Sequence, residues 1–335
     1  MGRKEEIVAW LKEEIRAGRL SPGSRAPSEY DLAERFGVNK TTANKAMADL
    51  VTAGVLARGR RGSGTFVHQL NPFKGRVMFI STINNPYNAQ IVNGAQRMAL
   101  SRGYLMCLSA PAQEEMNEFV AQLSPAVTSG IMTATFGLLP DIAGVPVIHI
   151  DREFPSEVQP ACLINCDGFG GAEFAVREFL DHGHRDIVMI DCNQSGKRQE
   201  GFLSALNRAG VGDATERLFI SSSSNMLDRV LDRILSRFPR LSGIVTASDN
   251  IAFELLECLN RRGLKVPQDI SVSGFGNVMP IASQLDLTSI EQNPFELGAF
   301  AAERLMDMIE GKYIASSFCE VLPCSLVRRN SIRYL

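Results

Sequence analysis

The sequence predicts an α/β protein in which an N-terminal winged helix-turn-helix precedes a larger, two-lobed α/β/α body. Two observations predict the small N-terminal part. Apolar residues recur at helical spacing over its first 50 residues, and a glycine-rich, arginine-bearing stretch then separates two short apolar runs. A third observation predicts the body: apolar runs alternate with amphipathic segments, as in parallel sheets covered on both faces. A length of 335 residues suits two or three domains.

Charge separates the two parts. Residues 1–70 hold 12 Lys and Arg against 8 Asp and Glu, whereas the remainder holds 23 against 29. A basic head on an acidic body indicates that only the head binds a polyanion. The seven scattered cysteines favour reduced thiols over a disulfide framework. With neither a secretory signal nor an apolar run of about 18–20 residues, we expect a cytoplasmic protein.

The first helix is predicted from four apolar residues at spacings of three and four, namely Ile7, Trp10, Leu11 and Ile15. Two more helices then surround a tight turn. Ser28 can cap the first of them, and Gly37 ends it, because glycine adopts the left-handed conformation at little cost. Asn39 caps the next helix, whose inward positions are Ala43, Ala46, Met47 and Leu50. Its outward positions are short and polar or cationic, as a helix that reads the major groove requires.

A β-hairpin is predicted from Val55–Arg58 and Thr65–Val67, joined by Gly59–Gly64. Its glycines allow the backbone to approach phosphates, and its arginines supply counter-charge or reach a minor groove. The candidate DNA-binding residues are Ser28, Tyr30, Asn39, Lys40, Thr41, Thr42, Asn44, Lys45, Arg58, Arg60, Arg61 and Gly62. Taken alone, Lys40, Asn44 and Lys45 fit a solvated helix face equally well. The hairpin and the complete pattern favour DNA binding.

Residues 4–68 resemble the DNA-binding domain of the GntR family of bacterial regulators. The resemblance rests on Pro27-Ser28-Glu29, on Gly37-Val38-x-x-Thr41-Thr42 and on Gly62-x-Gly64-Thr65-Phe66-Val67. It implies operator DNA as a partner, a homodimer and a place at the bacterial nucleoid. Where the family usually carries two arginines in its recognition helix, this chain has Lys40 and Asn44. Neither has the bidentate guanidinium fork that suits guanine, and Asn44 suits adenine.

Residues 69–75 are predicted to be a linker between a DNA-binding domain at 1–68 and a ligand-binding domain at 76–335. The strand and helix pattern of the body begins at Val77–Ile80 and starts again at Ala161–Ile164. Two doubly wound lobes of about 100 residues each follow from this repetition. In such sheets ligands bind outside the carboxyl ends of the strands, which here means in the cleft between the lobes.

The body resembles the effector domain of LacI-family repressors, which shares its fold with periplasmic sugar-binding proteins. Matching residues include Ile150-Asp151-Arg152, Arg198-x-x-Gly201-Phe202 and Ser248-Asp249. The resemblance implies a periplasmic-binding-protein-like fold whose chain crosses three times between lobes. We expect the crossings near 152–153, 279–285 and 313–318. Lobe one would then hold residues 76–152 and 286–312, and lobe two residues 153–285 and 313–335.

The candidate ligand residues are Tyr87, Asp151, Arg152, Arg198, Asp249 and Phe275. Sugar hydroxyls require carboxylates and guanidinium groups, and sugar C–H faces require aromatic rings. Arg198 could instead form a surface salt bridge, and Asp151 and Asp249 could be helix or loop caps. The family often has Asp where Gly276 stands and Asn where Ser248 stands. A different sugar, a sugar acid or another small polar molecule therefore stays open alongside a plain pentose or hexose.

A GntR-type head joined to a LacI-type body is the architecture of arabinose-repressor-like regulators. We therefore expect a ligand-responsive transcriptional regulator, and a repressor in particular, rather than an enzyme. Two alternative functions fit the sequence less well. A solute-binding protein would explain the body but not the head, and an enzyme lacks a nucleophile–base pair or phosphate loop in the sequence. His182-Gly183-His184 has no accompanying ligand cluster, so neither metal nor cofactor is expected.

Overall fold

The structure, a computed structural model, describes residues 2–60, 62–68, 73–82, 86–134, 137–154, 157–192, 196–221, 224–312 and 317–335. The chain forms two compact units, residues 1–74 and 75–335, which are described separately below. The boundary between them falls at the end of the predicted linker, of which residues 69–72 lie outside the described part of the chain.

Unit 1 has three helices and a two-stranded hairpin, in agreement with the predicted winged helix-turn-helix. Its elements are α1 (Arg3–Arg16), α2 (Glu29–Phe36), α3 (Lys40–Thr52), β1 (Leu56–Arg58) and β2 (Thr65–Val67). The two strands pair antiparallel, with Leu56 opposite Val67. Its core is formed by apolar residues from every element, among them Ile7, Leu11, Leu32, Met47, Leu50 and Leu56. A core shared by all five elements fixes the orientation of α3 relative to the hairpin.

Capping residues determine where α2 and α3 begin and end. Ser28 and Asp31 form a reciprocal capping box: the Asp31 amide donates to Ser28 Oγ, and the Ser28 amide donates to Asp31 Oδ2. Gly37 ends α2 in the left-handed conformation, at φ +59°. The Asn39 side chain accepts the Thr42 amide hydrogen at 2.8 Å and so caps α3. The turn of the helix-turn-helix is therefore specified by three consecutive local signals.

Unit 2 contains two six-stranded sheets flanked by helices. Its strands are β3 (Gly75–Ile80), β4 (Tyr104–Ser109), β5 (Gly130–Thr133), β6 (Val147–Ile150), β7 (Cys162–Cys166), β8 (Ile187–Asp191), β9 (Leu218–Ile220), β10 (Gly243–Thr246), β11 (Ser271–Gly276), β12 (Thr288–Glu291), β13 (Phe318–Leu322) and β14 (Ser325–Val327). Its helices are α4 (Pro86–Ser101), α5 (Met116–Ala121), α6 (Gly168–Asp181), α7 (Gly196–Arg208), α8 (Ser224–Arg237), α9 (Asp249–Arg261), α10 (Ile281–Gln284) and α11 (Pro294–Ile309). Among these helices and those of unit 1, none in the described chain is long and apolar enough to cross a bilayer.

Each sheet forms one lobe of unit 2. The strand order in lobe one is β13-β7-β6-β5-β3-β4, and in lobe two it is β14-β12-β11-β10-β8-β9. Neighbouring strands are parallel except β12 and β14, which are antiparallel. This architecture agrees with the predicted two-lobed α/β/α body.

The three crossings between lobes lie elsewhere than the sequence-based expectation. β7 pairs with β6, so the chain leaves lobe one after Cys166 and not near residues 152–153. β12 pairs with β11, so the chain stays in lobe two until Glu291 and does not return near residues 279–285. β13 pairs with β7, which moves the third crossing from 313–318 to Pro323 and Cys324, between β13 and β14.

The expected lobe boundaries were wrong because strand pairing, and not the local sequence, decides which sheet a strand joins. Lobe one holds residues 75–166 together with α11 and β13, and lobe two holds residues 167–291 together with β14. No local signal in 162–166 or 318–322 distinguishes one sheet from the other, since both segments are short apolar runs.

Helices α4 and α11 pack closely on lobe one. A Cβ atom added at Gly94 would lie 1.9 Å from the Phe295 carbonyl oxygen, and one at Gly298 would lie 1.9 Å from the Ile91 carbonyl oxygen. Each helix therefore presents a glycine to the backbone of the other. The apolar residues Leu305 and Met306 of α11 are completely buried in the core of lobe one.

Candidate DNA-binding and effector sites

The exposed face of α3 carries the predicted DNA-reading side chains. Lys40, Thr41, Asn44 and Lys45 are exposed, whereas Ala43, Ala46, Met47 and Leu50 of the same helix are buried. Residues at i, i+1, i+4 and i+5 share one side of a helix, so these four side chains form one polar surface with two positive charges.

Three of the predicted DNA-binding residues hold helix ends. Ser28 belongs to the capping box of α2, and Asn39 caps α3. The Thr42 hydroxyl donates to Asn39 Oδ1 at 2.9 Å, alongside the amide of the same residue. Their side chains are thereby used in positioning the recognition helix.

Tyr30 is 67% exposed and lies beneath the Lys40 ammonium group, which is 3.9 Å from the ring centroid. A cation over an aromatic face is attracted to the ring. This contact joins the start of α2 to the first residue of α3 and restricts the Lys40 side chain at the reading surface.

The hairpin, which we call the wing, is joined to α3 by a hydrogen bond between side chains. Arg58 donates from its guanidinium group to Asn44 Oδ1 at 3.1 Å. At the wing tip the Ser63 amide donates to the Arg60 carbonyl, and Gly62 has φ +88°. Arg60 is exposed, and Arg61 lies outside the described residues. Asn44 and Arg58, both predicted to meet DNA, are thus one hydrogen-bonded pair.

In unit 2 the carboxyl ends of several strands bring predicted ligand residues together. Asp151 follows β6 with φ +49°, and its Oδ2 accepts a hydrogen bond from the Tyr87 hydroxyl at 2.7 Å. Tyr87 is the second residue of α4. Burial, followed by the negative charge of Asp151, raises the pKa of the Tyr87 hydroxyl well above its ordinary value. The phenol is therefore a hydrogen-bond donor at neutral pH.

Arg198, at the start of α7, lies over the ring of Phe275 with 4.1 Å between the guanidinium carbon and the ring centroid. One of its terminal nitrogens donates to the Ala247 carbonyl at 2.5 Å. Burial alone would lower the pKa of Arg198, but the surrounding groups, led by Cys166 and Asp151, raise it. The guanidinium group stays charged, and its other nitrogens have no hydrogen bond to any described residue.

Arg152 connects the loops around the site. Its guanidinium group donates to the Ala134 carbonyl through two nitrogens, and its backbone amide donates to Asn165 Oδ1 at 3.0 Å. Burial lowers the pKa of Arg152, although the charge of Asp151 opposes this effect. Arg152 thus supports the loops from within, and its charge lies beside that of Asp151.

Asp249 does not join this group, contrary to the sequence-based expectation. It is completely buried at the start of α9, where Ser289 donates to its Oδ1 at 2.6 Å and the Val278 amide donates to its Oδ2 at 2.5 Å. Burial raises the pKa of this carboxyl group, and the hydrogen bond from Ser289 opposes that shift. The alternative interpretation as a cap of local structure fits these contacts, since both carboxylate oxygens face inward.

Sequence reasoning missed two residues of the site, Cys166 and Gln292. The Cys166 thiol donates to Asp151 Oδ1 at 3.1 Å, and Gln292 Nε2 donates to Cys166 Sγ at 2.8 Å. A hydrogen bond with Cys324, followed by burial, raises the pKa of the Cys166 thiol. Each residue directly follows or ends a strand, which was the available signal. We call Tyr87, Asp151, Cys166, Arg198, Phe275 and Gln292 the cleft cluster.

The part of the chain that the structure describes contains no group of three or more His, Cys, Asp and Glu side chains arranged to hold a metal ion. His182 and His184 are instead bonded within lobe two. A ring nitrogen of His182 contacts the Glu178 carbonyl at 2.7 Å, and one of His184 contacts the Arg333 carbonyl at 2.9 Å.

One family match lies in each unit. Residues 3–67 match the bacterial regulatory proteins of the gntR family, and residues 176–332 match the periplasmic binding protein-like domain. The first match covers all five elements of unit 1. The second covers most of lobe two and the return of the chain through α11 and β13.

Curated relatives extend over almost the whole chain. The arabinose metabolism transcriptional repressor of Geobacillus stearothermophilus is 28% identical, across 98% of this chain and 96% of the relative. The protein of that name from Halalkalibacterium halodurans is 26% identical, across 90% and 87%. The HTH-type transcriptional repressor PurR of Serratia proteamaculans is 26% identical, across 90% and 96%. These relatives are transcriptional regulators and not enzymes.

Solved structures share the fold. A transcriptional regulator CelR–cellobiose complex aligns with a TM-score of 0.67 at 22% identity, covering 91% of this chain and all of that one. The transcription regulator CcpA of Lactococcus lactis aligns with a TM-score of 0.67 at 23% identity, covering 77% and 99%. A LacI family regulator of Enterococcus faecium with bound ribose gives 0.65 at 23% identity, covering 78% and 99%.

Proposed function

We propose that the chain represses transcription under the control of a sugar-like effector, because residues 3–67 match the gntR family, residues 176–332 match the periplasmic binding protein-like domain, and the relatives over its full length are transcriptional repressors. In this proposal unit 1 binds operator DNA, and the effector binds between the lobes of unit 2. The observation that carries the proposal is the cleft cluster, because it collects one free guanidinium edge, one carboxylate and one phenol around an aromatic ring.

The chemistry of the cleft cluster suits a polyhydroxylated ligand. The Asp151 carboxylate accepts from hydroxyl groups, and the Arg198 fork can hold two vicinal hydroxyls or a carboxylate. The Phe275 ring is already covered by Arg198, so the Tyr87 ring is the aromatic surface left for sugar C–H groups. LacI-family effector domains often carry an aspartate at the position of Gly276. This site therefore has one carboxylate fewer with which to bind hydroxyl groups. The relatives' names make L-arabinose the first sugar to test.

Operator binding is proposed to use Lys40, Thr41, Asn44 and Lys45 on α3, with Arg58, Arg60 and Arg61 of the wing. The polar surface of α3 suits base edges in the major groove, and the exposed side chains of Arg58 and Arg60 suit phosphates or a minor groove. A regulator acting on operator DNA works in the bacterial cytoplasm, at the nucleoid.

A homodimer is part of the same proposal, since palindromic operators need two heads for two half-sites. Lobe two presents two exposed apolar side chains that suit such an interface, Phe253 on α9 and Met279 just before α10. Effector binding would change the angle between lobes and thereby the spacing of the two heads. Coupling of this kind amounts to about 1–3 kcal/mol in typical allosteric proteins.

The test is fluorescence anisotropy of labelled DNA from upstream of the protein's own operon, with L-arabinose, D-ribose, cellobiose and D-glucuronate as effectors. The expected result is salt-sensitive, sequence-specific binding that one of these sugars changes by roughly 5–150-fold. Absence of any sequence-specific binding would overturn the proposed function, and binding that no small polyol alters would overturn the effector assignment.

The double variant Lys40→Ala with Asn44→Ala tests the DNA surface. We expect it to weaken operator binding by at least tenfold, because a good base-contacting pair contributes about 1–3 kcal/mol. Lys12→Ala with Gln122→Ala is the matched control, since it removes a cation and an amide from exposed positions that belong neither to α3 nor to the cleft cluster. Sugar binding, followed by calorimetry, should persist in both variants. Unchanged operator binding in the first variant would mean that α3 is not the reading helix.

A further inference from the structure

A carboxylate of lobe one is hydrogen-bonded to a helix of lobe two beside the cleft cluster. Glu153 follows Asp151 in the loop between β6 and β7, whereas Lys197 is the second residue of α7. Both carboxylate oxygens of Glu153 accept from the Lys197 amide, each at 3.2 Å. A Cβ atom added at Gly196, the first residue of α7, would lie 3.0 Å from Glu153 Oε2. The Glu153 carboxylate therefore lies against the first turn of α7.

The first turn of α7 is suited to a negative charge. The first amides of a helix have no partner within the helix, and they lie at the positive end of its dipole. This helix runs for 13 residues. Partial burial raises the pKa of the Glu153 carboxyl group, whereas the Lys197 amide and then the charge of Arg198 oppose that shift. Two neighbouring residues of α7 thus stabilise the ionised form of Glu153.

Arg198 gives the same place a second and independent preference for an anion. It is the third residue of α7, and one of its terminal nitrogens donates to the Ala247 carbonyl. Its other nitrogens have no hydrogen bond to any residue that the structure describes. Backbone amides together with a free guanidinium edge are the groups that bind carboxylates and phosphates in proteins. If Glu153 had no charge, this corner of the cleft would suit an anionic ligand.

The charges around Arg198 already outnumber it. The carboxylates of Asp151 and Asp191 act on its guanidinium group, and Glu153 is a third carboxylate on the same side. Arg152 is the second cation of this group. An anionic effector would bring a fourth negative charge to two positive ones, whereas a neutral polyol would add none. The electrostatic balance therefore favours an uncharged ligand.

We propose that Glu153 is a specificity-determining residue, whose carboxylate fills the anion-binding position formed by the first turn of α7 and Arg198. It thereby restricts the cleft to uncharged polyols and excludes sugar acids and sugar phosphates. The free edge of Arg198 then binds hydroxyl groups and not a ligand carboxylate. This inference deepens the proposed function, because it concerns the same cleft, but its main test requires no sugar to bind.

Glu153→Gln tests the proposal on the full chain, with inorganic phosphate as the probe. Glutamine has nearly the shape of glutamate and no charge. Binding is followed by NMR at the amide signals of Gly196 and Lys197, so that phosphate bound elsewhere does not interfere. We expect phosphate to shift both signals in the variant and to bind it at least roughly tenfold more tightly than wild type, because two anions no longer compete for one position.

Glu118→Gln is the matched control, because Glu118 is an exposed glutamate on α5 of lobe one. It should behave as wild type does. Adding Arg198→Gln to Glu153→Gln should abolish the phosphate-induced shifts, since the guanidinium edge is then missing. The remaining signals of each spectrum report whether the variant is folded.

A pair of hexoses links the result to the effector. D-glucuronate and D-glucose differ at C6, where one has a carboxylate and the other a hydroxyl group. Glu153→Gln should shift the ratio of their affinities towards D-glucuronate by roughly tenfold.

Two results would overturn the proposal. Wild type could bind phosphate at α7 as tightly as Glu153→Gln does, or the folded variant could fail to bind phosphate there at all. If neither hexose binds any of these proteins, the sugar assignment fails, whereas the phosphate measurement still decides whether Glu153 excludes anions.

Discussion

At the scale of single residues, the two aspartates at strand ends show how burial decides a role. Asp151 and Asp249 both stand after an apolar strand, and both were predicted to contact ligand. Asp151 is half-buried and bonded to Tyr87 and Cys166, which leaves it at the edge of the cleft cluster. Asp249 is fully buried, with both carboxylate oxygens bonded inside lobe two. The sequence pattern around each residue does not distinguish these surroundings.

Asp249→Ala tests this difference. We expect it to lower the free energy of unfolding by about 2–4 kcal/mol, because the Val278 amide and the Ser289 hydroxyl lose their buried acceptor. Urea denaturation measures this. Asp151→Ala is the comparison, and its main effect should be on effector affinity with little change in stability. A stable Asp249→Ala protein with reduced effector affinity would return Asp249 to the ligand site.

His149 makes a second residue-scale prediction, which concerns pH. Burial lowers its pKa to about 4 in the folded chain, from 6.5 when unperturbed. Below pH 6.5 the unfolded chain therefore binds a proton that the folded chain does not, and stability falls as the pH falls from 6.5 towards 4. Because of His149, the free energy of unfolding should be about 2 kcal/mol lower at pH 5 than at pH 7.

Urea denaturation of wild type and of His149→Gln at pH 7 and pH 5 measures that contribution. The His149 ring accepts a hydrogen bond from the Leu139 amide. The glutamine side chain retains an acceptor for this amide but does not titrate, so the variant's loss of stability between the two pH values should be about 2 kcal/mol smaller. Burial also lowers the pKa of His184, and this contribution is present in both proteins and cancels. An identical loss in the two proteins would contradict the prediction.

At the scale of elements, local signals predicted the helices and strands well, and long-range pairing limited the rest. Ser28, Gly37 and Asn39 act where the sequence placed them, because capping depends on residues within one turn. The predicted crossings between lobes were wrong because strand pairing decides the lobe: β7 pairs with β6, and β13 pairs with β7, from which more than 150 residues separate it. Cys166 and Gln292 entered the cleft cluster unpredicted for the same reason. A lone buried thiol or amide carries no periodic signal.

The α4–α11 contact gives the element-scale prediction. Gly298→Ala would place a methyl group 1.9 Å from the Ile91 carbonyl oxygen, and backbone cannot move aside as a flexible side chain does. We expect the two helices to separate and the free energy of unfolding to fall by more than about 2 kcal/mol, despite the better helix propensity of alanine. Gly212→Ala is the control, since nothing lies within 4 Å of its added Cβ. Equal thermal stability of the two variants would refute the close contact.

At the scale of the whole molecule, the fold class and the order of the domains followed from composition and periodicity. The gntR-family match over residues 3–67 and the periplasmic binding protein-like match agree with that reading. A dimer interface could not be located in this way, because a single sequence does not show which apolar residues are exposed on the folded surface. Phe253 and Phe174 are each 42% exposed, yet their surroundings differ. Arg177, Asp181 and Arg328 lie with Phe174 around one surface pocket, whereas Phe253 belongs to α9, which packs against α10.

Phe253→Arg should convert the proposed dimer to a monomer at low micromolar concentration, because a charge buried in an interface core is poorly tolerated. Phe174→Arg makes the same chemical change on α6, among charged residues, and should leave the dimer intact. Sedimentation velocity distinguishes the two states. Operator affinity should fall steeply in the first variant alone, since a monomer engages one half-site. A dimeric Phe253→Arg protein would place the interface elsewhere.

The hydrogen bond between Arg58 and Asn44 has a consequence for engineering new specificities. If only the residues of α3 were exchanged for those of another regulator, Arg58 of the wing would lose its hydrogen-bond acceptor on Asn44. The guanidinium group could then contact a base or a phosphate by itself. The hybrid protein would combine the DNA-sequence preferences of the two regulators. Recognition helix and wing should therefore be transplanted together, as one cassette from the Asn39 cap to the second strand of the hairpin.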